Sequence, residues 1–325
     1  MIEAAMTNAD TPVSAEAPVE AVLRDELARG DVVLGTIGPI LGHLIANHDH
    51  SLFSDEIVAR IRGMVNGIAR QMLEIQAAAQ DEGDVHGFAE RNSTELADMI
   101  AGHPQFLTHC HSLALECQLA ERLRSRNAID PVLSPLMQSL VASDDATTAA
   151  LAMQALASQA RFIQRQKRMQ LPLTELPADL FHHALTSWRS YAGGLDPSVI
   201  SRVETRFRRD FDESASRLGL LSRLVEGMGG AARAALSVSH AGVALFLTAL
   251  ASASQQDRDV VALATNDRQL ARLALALRSS GLNPREVEEQ FVYLHPEISL
   301  PEGFSQLRAD RARDMLAAAG GFRSA

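Results

Sequence analysis

The chain has 325 residues, enough for two domains or one elongated helical array. Hydrophobic residues make up 46% and aromatics only 4%, so the core must be built from Ala, Leu, Val, Ile and Met. Alanine mixed with Leu, Arg and Gln favours helix, no long β-branched alternation is present, and a formal net charge of −10 argues against a nucleic-acid binder.

Residues 1–17 mix Ala, Thr, Pro and acidic residues without periodicity and read as a disordered tail. An N-terminal helical domain is expected over 18–127. Its first helix starts near Pro18 and stops at Gly30. Asp31 then caps a more apolar helix, with a kink or break at Pro39. An amphipathic helix follows over about 54–79, with Ile57, Ile61, Met64, Ile68 and Met72 as its apolar stripe. A loop at 81–84, a helix near 93–100 and a helix starting at Pro104 complete this half.

The second part, 128–300, reads as helical pairs, and 301–325 as a C-terminal helix and tail. Ser143-Asp144-Asp145 caps a helix to about Arg168, and 170–177 reads as a linker. Helices are expected at about 178–191 and 197–226, the latter closed by Gly227 to Gly230. Gly227-Met228-Gly229-Gly230-Ala231-Ala232 matches a dinucleotide fingerprint only loosely, because it lacks a preceding strand and a following acid. The apolar run at 241–251 is too short to span a bilayer, and no signal peptide is expected.

Segments 243–267 and 270–294 echo each other: Leu250 aligns with Leu277, Arg258 with Arg285, Asp259 with Glu286 and Val260 with Val287. Each is an apolar helix, a turn and a second, capped helix; Asn283-Pro284-Arg285-Glu286 is a capping-box start. In this the region resembles HEAT-like α-helical repeat proteins. The resemblance implies an architecture only: all-α, an N-terminal bundle followed by stacked helical pairs.

A second echo carries the chemistry. Gly42-His43 with His48-Asp49-His50-Ser51-Leu52 is matched by Gly102-His103 with His109-Cys110-His111-Ser112-Leu113, and these segments hold six of the 11 histidines. Imidazoles with a carboxylate suit a transition metal such as zinc. The candidate ligands are His48, His50, His109 and His111. On a helix, residues two apart point about 200° apart, so a helix running from Pro104 through His109 and His111 splits the second pair. The plainer reading is a duplicated hairpin that kept its loop histidines, with no cofactor.

Arg161, Arg165 and Arg168 make a basic stripe, with no acid between Asp145 and Glu175. The stripe could hold an acidic segment or a phosphate, or simply be solvated. Cys110 and Cys117 are too far apart on one helix to bridge, about 10 Å along its axis, and two free thiols suit a reducing cytoplasm. No Walker loop, H-E-x-x-H or G-x-S-x-G is present. The function expected from these features is a non-enzymatic, cytoplasmic protein-interaction scaffold or regulatory adaptor with a protein partner and an open oligomeric state. The alternatives are a metal-binding enzyme or sensor and an anion- or nucleic-acid-responsive regulator.

Overall fold

The computed structural model describes residues 18–47 and 55–319, with the side chains of 18 and 43–47 excepted. Among the described residues the protein is all-α, with fourteen α-helices, short 3-10 turns and no strand. The expected tails at 1–17 and 320–325, and the first histidine segment at 48–54, lie outside the described residues.

The first helix, α1, runs from Pro18 to Asn47 without stopping at Gly30 or breaking at Pro39. Tertiary contacts override the local stop signal. The Gly30 carbonyl accepts from Gln269 Nε2 at 2.8 Å, and Asp31 pairs with Arg272 instead of capping a new helix. Next come α2 (Asp55–Ala79) and α3 (Val85–Ala101), which pack on each other. The Asp84 carboxylate accepts from the Gly87 N–H at 2.9 Å, and this cap starts α3 earlier than the sequence pattern suggests.

Helix α4 (Pro104–Asn127) begins on Pro104 and ends with Ala128 in the left-handed conformation. Then follow α5 (Pro135–Val141), α6 (Ala146–Gln166), α7 (Ala178–Tyr191) and α8 (Pro197–Asp210). The expected linker at 170–177 belongs to the core: Leu171, Leu173 and Leu176 are all buried around a 3-10 turn. The helix expected over 197–226 is two. Asp212 and Ser216 each cap a new start, Phe211 stacks on Phe181 at 3.9 Å, and α9 (Arg217–Gly227) begins afresh.

A 3-10 stretch (Gly229–Leu236) leads to α10 (Val238–Ser254), α11 (Arg258–Leu263), α12 (Leu270–Ser279), α13 (Pro284–Leu294) and α14 (Ala309–Ala318). Gly242 interrupts α10 at φ +70°, a conformation that glycine adopts without penalty. A Cβ there would also come within 3.0 Å of Ser134 Cβ, so glycine lets α10 pass close to the capped start of α5. Asn283 and Glu286 form the expected capping box of α13.

Burial divides into two hydrophobic clusters. One gathers Val19, Leu23 and Leu27 of α1 with Leu119, Ala120 and Leu123 of α4 and most apolar residues from 220 onward. The other gathers Leu34, Ile37 and Leu41 of α1 with Phe106, Cys110 and Leu113 of α4, the apolar stripe of α2, and residues 162–211 including Trp188. Helices α1 and α4 therefore run through both clusters.

Candidate functional site

Helix α4 positions the polar side chains of the interior. Apolar residues surround most of it, so the polar side chains that remain buried must find partners. His109, Ser112 and Glu116 share one face at i, i+3 and i+7, while His111 lies on another with the half-buried Leu115 and Gln118 at i+4 and i+7.

The first face meets α9 and α11. Glu116, 1% exposed, accepts from Arg217 at both carboxylate oxygens, 2.7 Å at Oε1 and 3.0 Å at Oε2. Arg258 adds an ion pair, Nη2 lying 3.1 Å from Glu116 Oε2. Burial alone would raise the Glu116 pKa, but the two guanidiniums hold it down to about 2. Arg217 also donates to Gln159 Oε1 at 3.1 Å and lies 3.7 Å above the Phe162 ring, and Arg258 Nε donates to Thr248 Oγ1 at 3.1 Å.

One turn away, His109 Nδ1 lies 2.8 Å from Asp259 Oδ2. Ser112 Oγ is 2.5 Å from Asp259 Oδ1 and 2.8 Å from the His109 carbonyl. An ionised Asp259 accepts Nδ1–H, which leaves the lone pair of a neutral ring on Nε2. His109 Nε2 is buried without a hydrogen-bond partner. Ser112 donates to acceptor oxygens and not to the imidazole, so no nucleophile–base pair is formed here. The cluster pairs Glu116 with Arg217 and Arg258, and Asp259 with His109 and Ser112, and so ties α4 to the α9 and α11 segments.

The second face opens onto a cleft of 340 Å³ between α1, α4 and the 3-10 turn Asp267–Gln269. His111 is 5% exposed, and burial lowers its pKa to about 4, so it is neutral at pH 7. A second cleft, of 730 Å³, lies on the other side of α1, against α2 and α3.

The sequence candidates fall out as follows. His109 and His111 point away from each other, one to Asp259 and one into the smaller cleft, while His48 and His50 lie outside the described residues. Among the described residues no group of three or more His, Cys, Asp or Glu could hold a metal ion. His103 lies against His183 with ring centroids 3.6 Å apart and planes tilted by 31°. Arg165 pairs with Glu175 at 3.7 Å, whereas Arg161 and Arg168 are exposed. Cys110 and Cys117 are free and buried; burial pushes both thiols up, out of the reactive range. No strand precedes the glycine run at 227–230, which ends α9.

The Glu116, Arg217, Arg258 and Asp259 network was not found from sequence. The partners are far apart in sequence, Glu116 lying 101 residues from Arg217 and His109 lying 150 from Asp259. The one local signal is Glu116 itself, an acid at buried helical spacing between Leu115 and Cys117.

No protein-family model, curated protein or solved structure matches the chain. Among the described residues no single helix is long and apolar enough to cross a membrane; one pair, Gly229–Leu236 and Val238–Ser254, passes only jointly and is bent by 115°.

Proposed function

We propose that the protein is a non-enzymatic interaction module, a scaffold or adaptor that receives a helix of a partner protein in the cleft between α1, α2 and α3. The observation that supports this reading is the wall composition of that 730 Å³ cleft. Gly38, Gly42, Ala97, Ala101 and Gly102 bring small residues to its wall, so a second helix can approach closely there. Val65 and Pro39 give it apolar contact, and Arg62 and Asp98 offer charge at its edges. The pairing of charges along α4 supports a structural use of the buried ions, and the two free thiols suit the cytoplasm. The reading of the C-terminal region as HEAT-like helical pairs belongs to the same proposal. It is supported by α11 and α13 both starting on side-chain caps, Asp257 and Asn283.

The test is affinity capture from the source cells with wild type and with Ala101→Trp, whose indole would fill the cleft at a half-buried position. A protein captured by wild type and lost by the variant supports the reading. An identical set of captured proteins rejects it.

A further inference from the structure

The cleft floored by His111 differs in kind from the one across α1. Its apolar walls come from four helices: Val33, Ile37 and Ile40 of α1, Ile57 of α2, Leu115 of α4 and Leu263 of α11. Val33, Ile40 and Leu115 are only half-buried, so this wall surface stays in water when the chain is folded. From Val32 to Asn47, α1 carries no Asp, Glu, Lys or Arg. The charges at the cleft are one of each sign, Asp267 and Arg268, both exposed at its rim. The other polar groups are Thr36, Gln118, Asn266, Gln269 and the His111 imidazole, which burial keeps neutral at pH 7.

Size decides between occupants. A helix with its side chains is about 10–12 Å across, and a 340 Å³ cleft walled by four helices does not admit one. The volume falls in the small-molecule range, roughly 300–1,000 Å³, and apolar side chains share the lining about equally with polar groups, three amides and one imidazole among them. A charged ligand would lose its hydration there without a matching charge inside the cleft.

We propose that the cleft between α1, α4 and the 266–269 turn binds a small, uncharged organic molecule with an apolar body and a polar end. Ring or chain carbons lie against Val33, Ile37, Ile40 and Leu115, and a single polar group faces the Gln118 and Asn266 amides or the imidazole. The site is separate from the helix-accepting cleft, and the proposal does not rest on that function.

The test uses N-phenyl-1-naphthylamine, an uncharged fluorophore, titrated at pH 7 into the full chain. Expected is saturable enhancement with one probe per chain, weakened at least about tenfold by Leu115→Trp and by Ile40→Trp, which fill the cleft from opposite walls. Ala101→Trp, in the other cleft, leaves the titration unchanged, so this result is read independently of partner capture. An anionic naphthalene sulfonate of similar size binds at least about tenfold more weakly. Circular dichroism confirms that each variant is folded, and either filling variant suffices if the other is not. Absence of saturable binding, binding untouched by a folded filling variant, or equal affinity for the sulfonate overturns the proposal.

Discussion

Glu116 stands between two arginines in the interior, and its removal leaves both without their shared carboxylate. Glu116→Gln keeps the volume but leaves Arg217 and Arg258 buried without a carboxylate between them. Breaking a buried pair from one side costs about 3–5 kcal/mol, and urea denaturation at pH 7 should show a loss of that order. The pH dependence follows from the direction of the shift. Folding lowers the Glu116 pKa from 4.5 to about 2, so the unfolded state binds the proton more readily. The stabilisation from its charge is complete above the unfolded value and is lost as pH falls through the folded one. The gap between wild type and Glu116→Gln should therefore narrow between pH 5 and pH 2; a gap that stays constant or widens would refute this account. None of this was legible from the sequence, because Arg217 is 101 residues away from Glu116 and only the fold brings them together. The histidine pair was legible in part. Helical spacing gives the divergence of His109 and His111, but says nothing of Asp259, which holds the first.

At the scale of elements, the glycines of α1 separate packing from propensity. A Cβ on Gly38 would lie 2.8 Å from Pro104 Cβ and 2.9 Å from its carbonyl oxygen, where α1 crosses the start of α4. One on Gly35 meets nothing within 4 Å. Gly35→Ala should stabilise by up to about 1 kcal/mol through helix propensity alone. Gly38→Ala should destabilise by about 1–3 kcal/mol through overpacking against Pro104. Thermal unfolding of the two variants should move in opposite directions, and a shift of the same sign for both would contradict the crossing. Local signals placed α7, the proline start of α4 and the caps Asp145 and Asn283 well, because a cap or a turn acts on its own neighbours. They failed where distant contacts decide. Gly30 reads as a stop until Gln269 and Arg272 are seen against α1, and the leucines of 170–177 read as a linker until the core that buries them is seen.

For the molecule as a whole, two hydrophobic clusters share α1 and α4, and the Glu116 network lies at the α4 crossing. Neither cluster can lose these helices alone, so the chain should unfold as one cooperative unit. Trp188 is the only tryptophan; it is fully buried in the second cluster, and its indole N–H donates to Gln76 at 2.8 Å. Its fluorescence therefore reports one cluster, while far-UV circular dichroism reports all helices. Their urea transitions should coincide at one midpoint. A fluorescence midpoint displaced from the dichroism midpoint would show that the clusters melt separately. The long reach of α1 also sets an order of events at the ribosome. The partners of Gly30, Asp31 and Glu20, namely Gln269, Arg272 and Arg311, are synthesised 239, 241 and 291 residues later. At ordinary elongation rates of about 5–20 residues per second, α2 and α4 can cover part of α1 early, but its contacts with the C-terminal helices wait roughly ten seconds to a minute. Helix α1 is thus only partly enclosed until the C-terminal helices arrive, and during that interval it is a ready client for a chaperone.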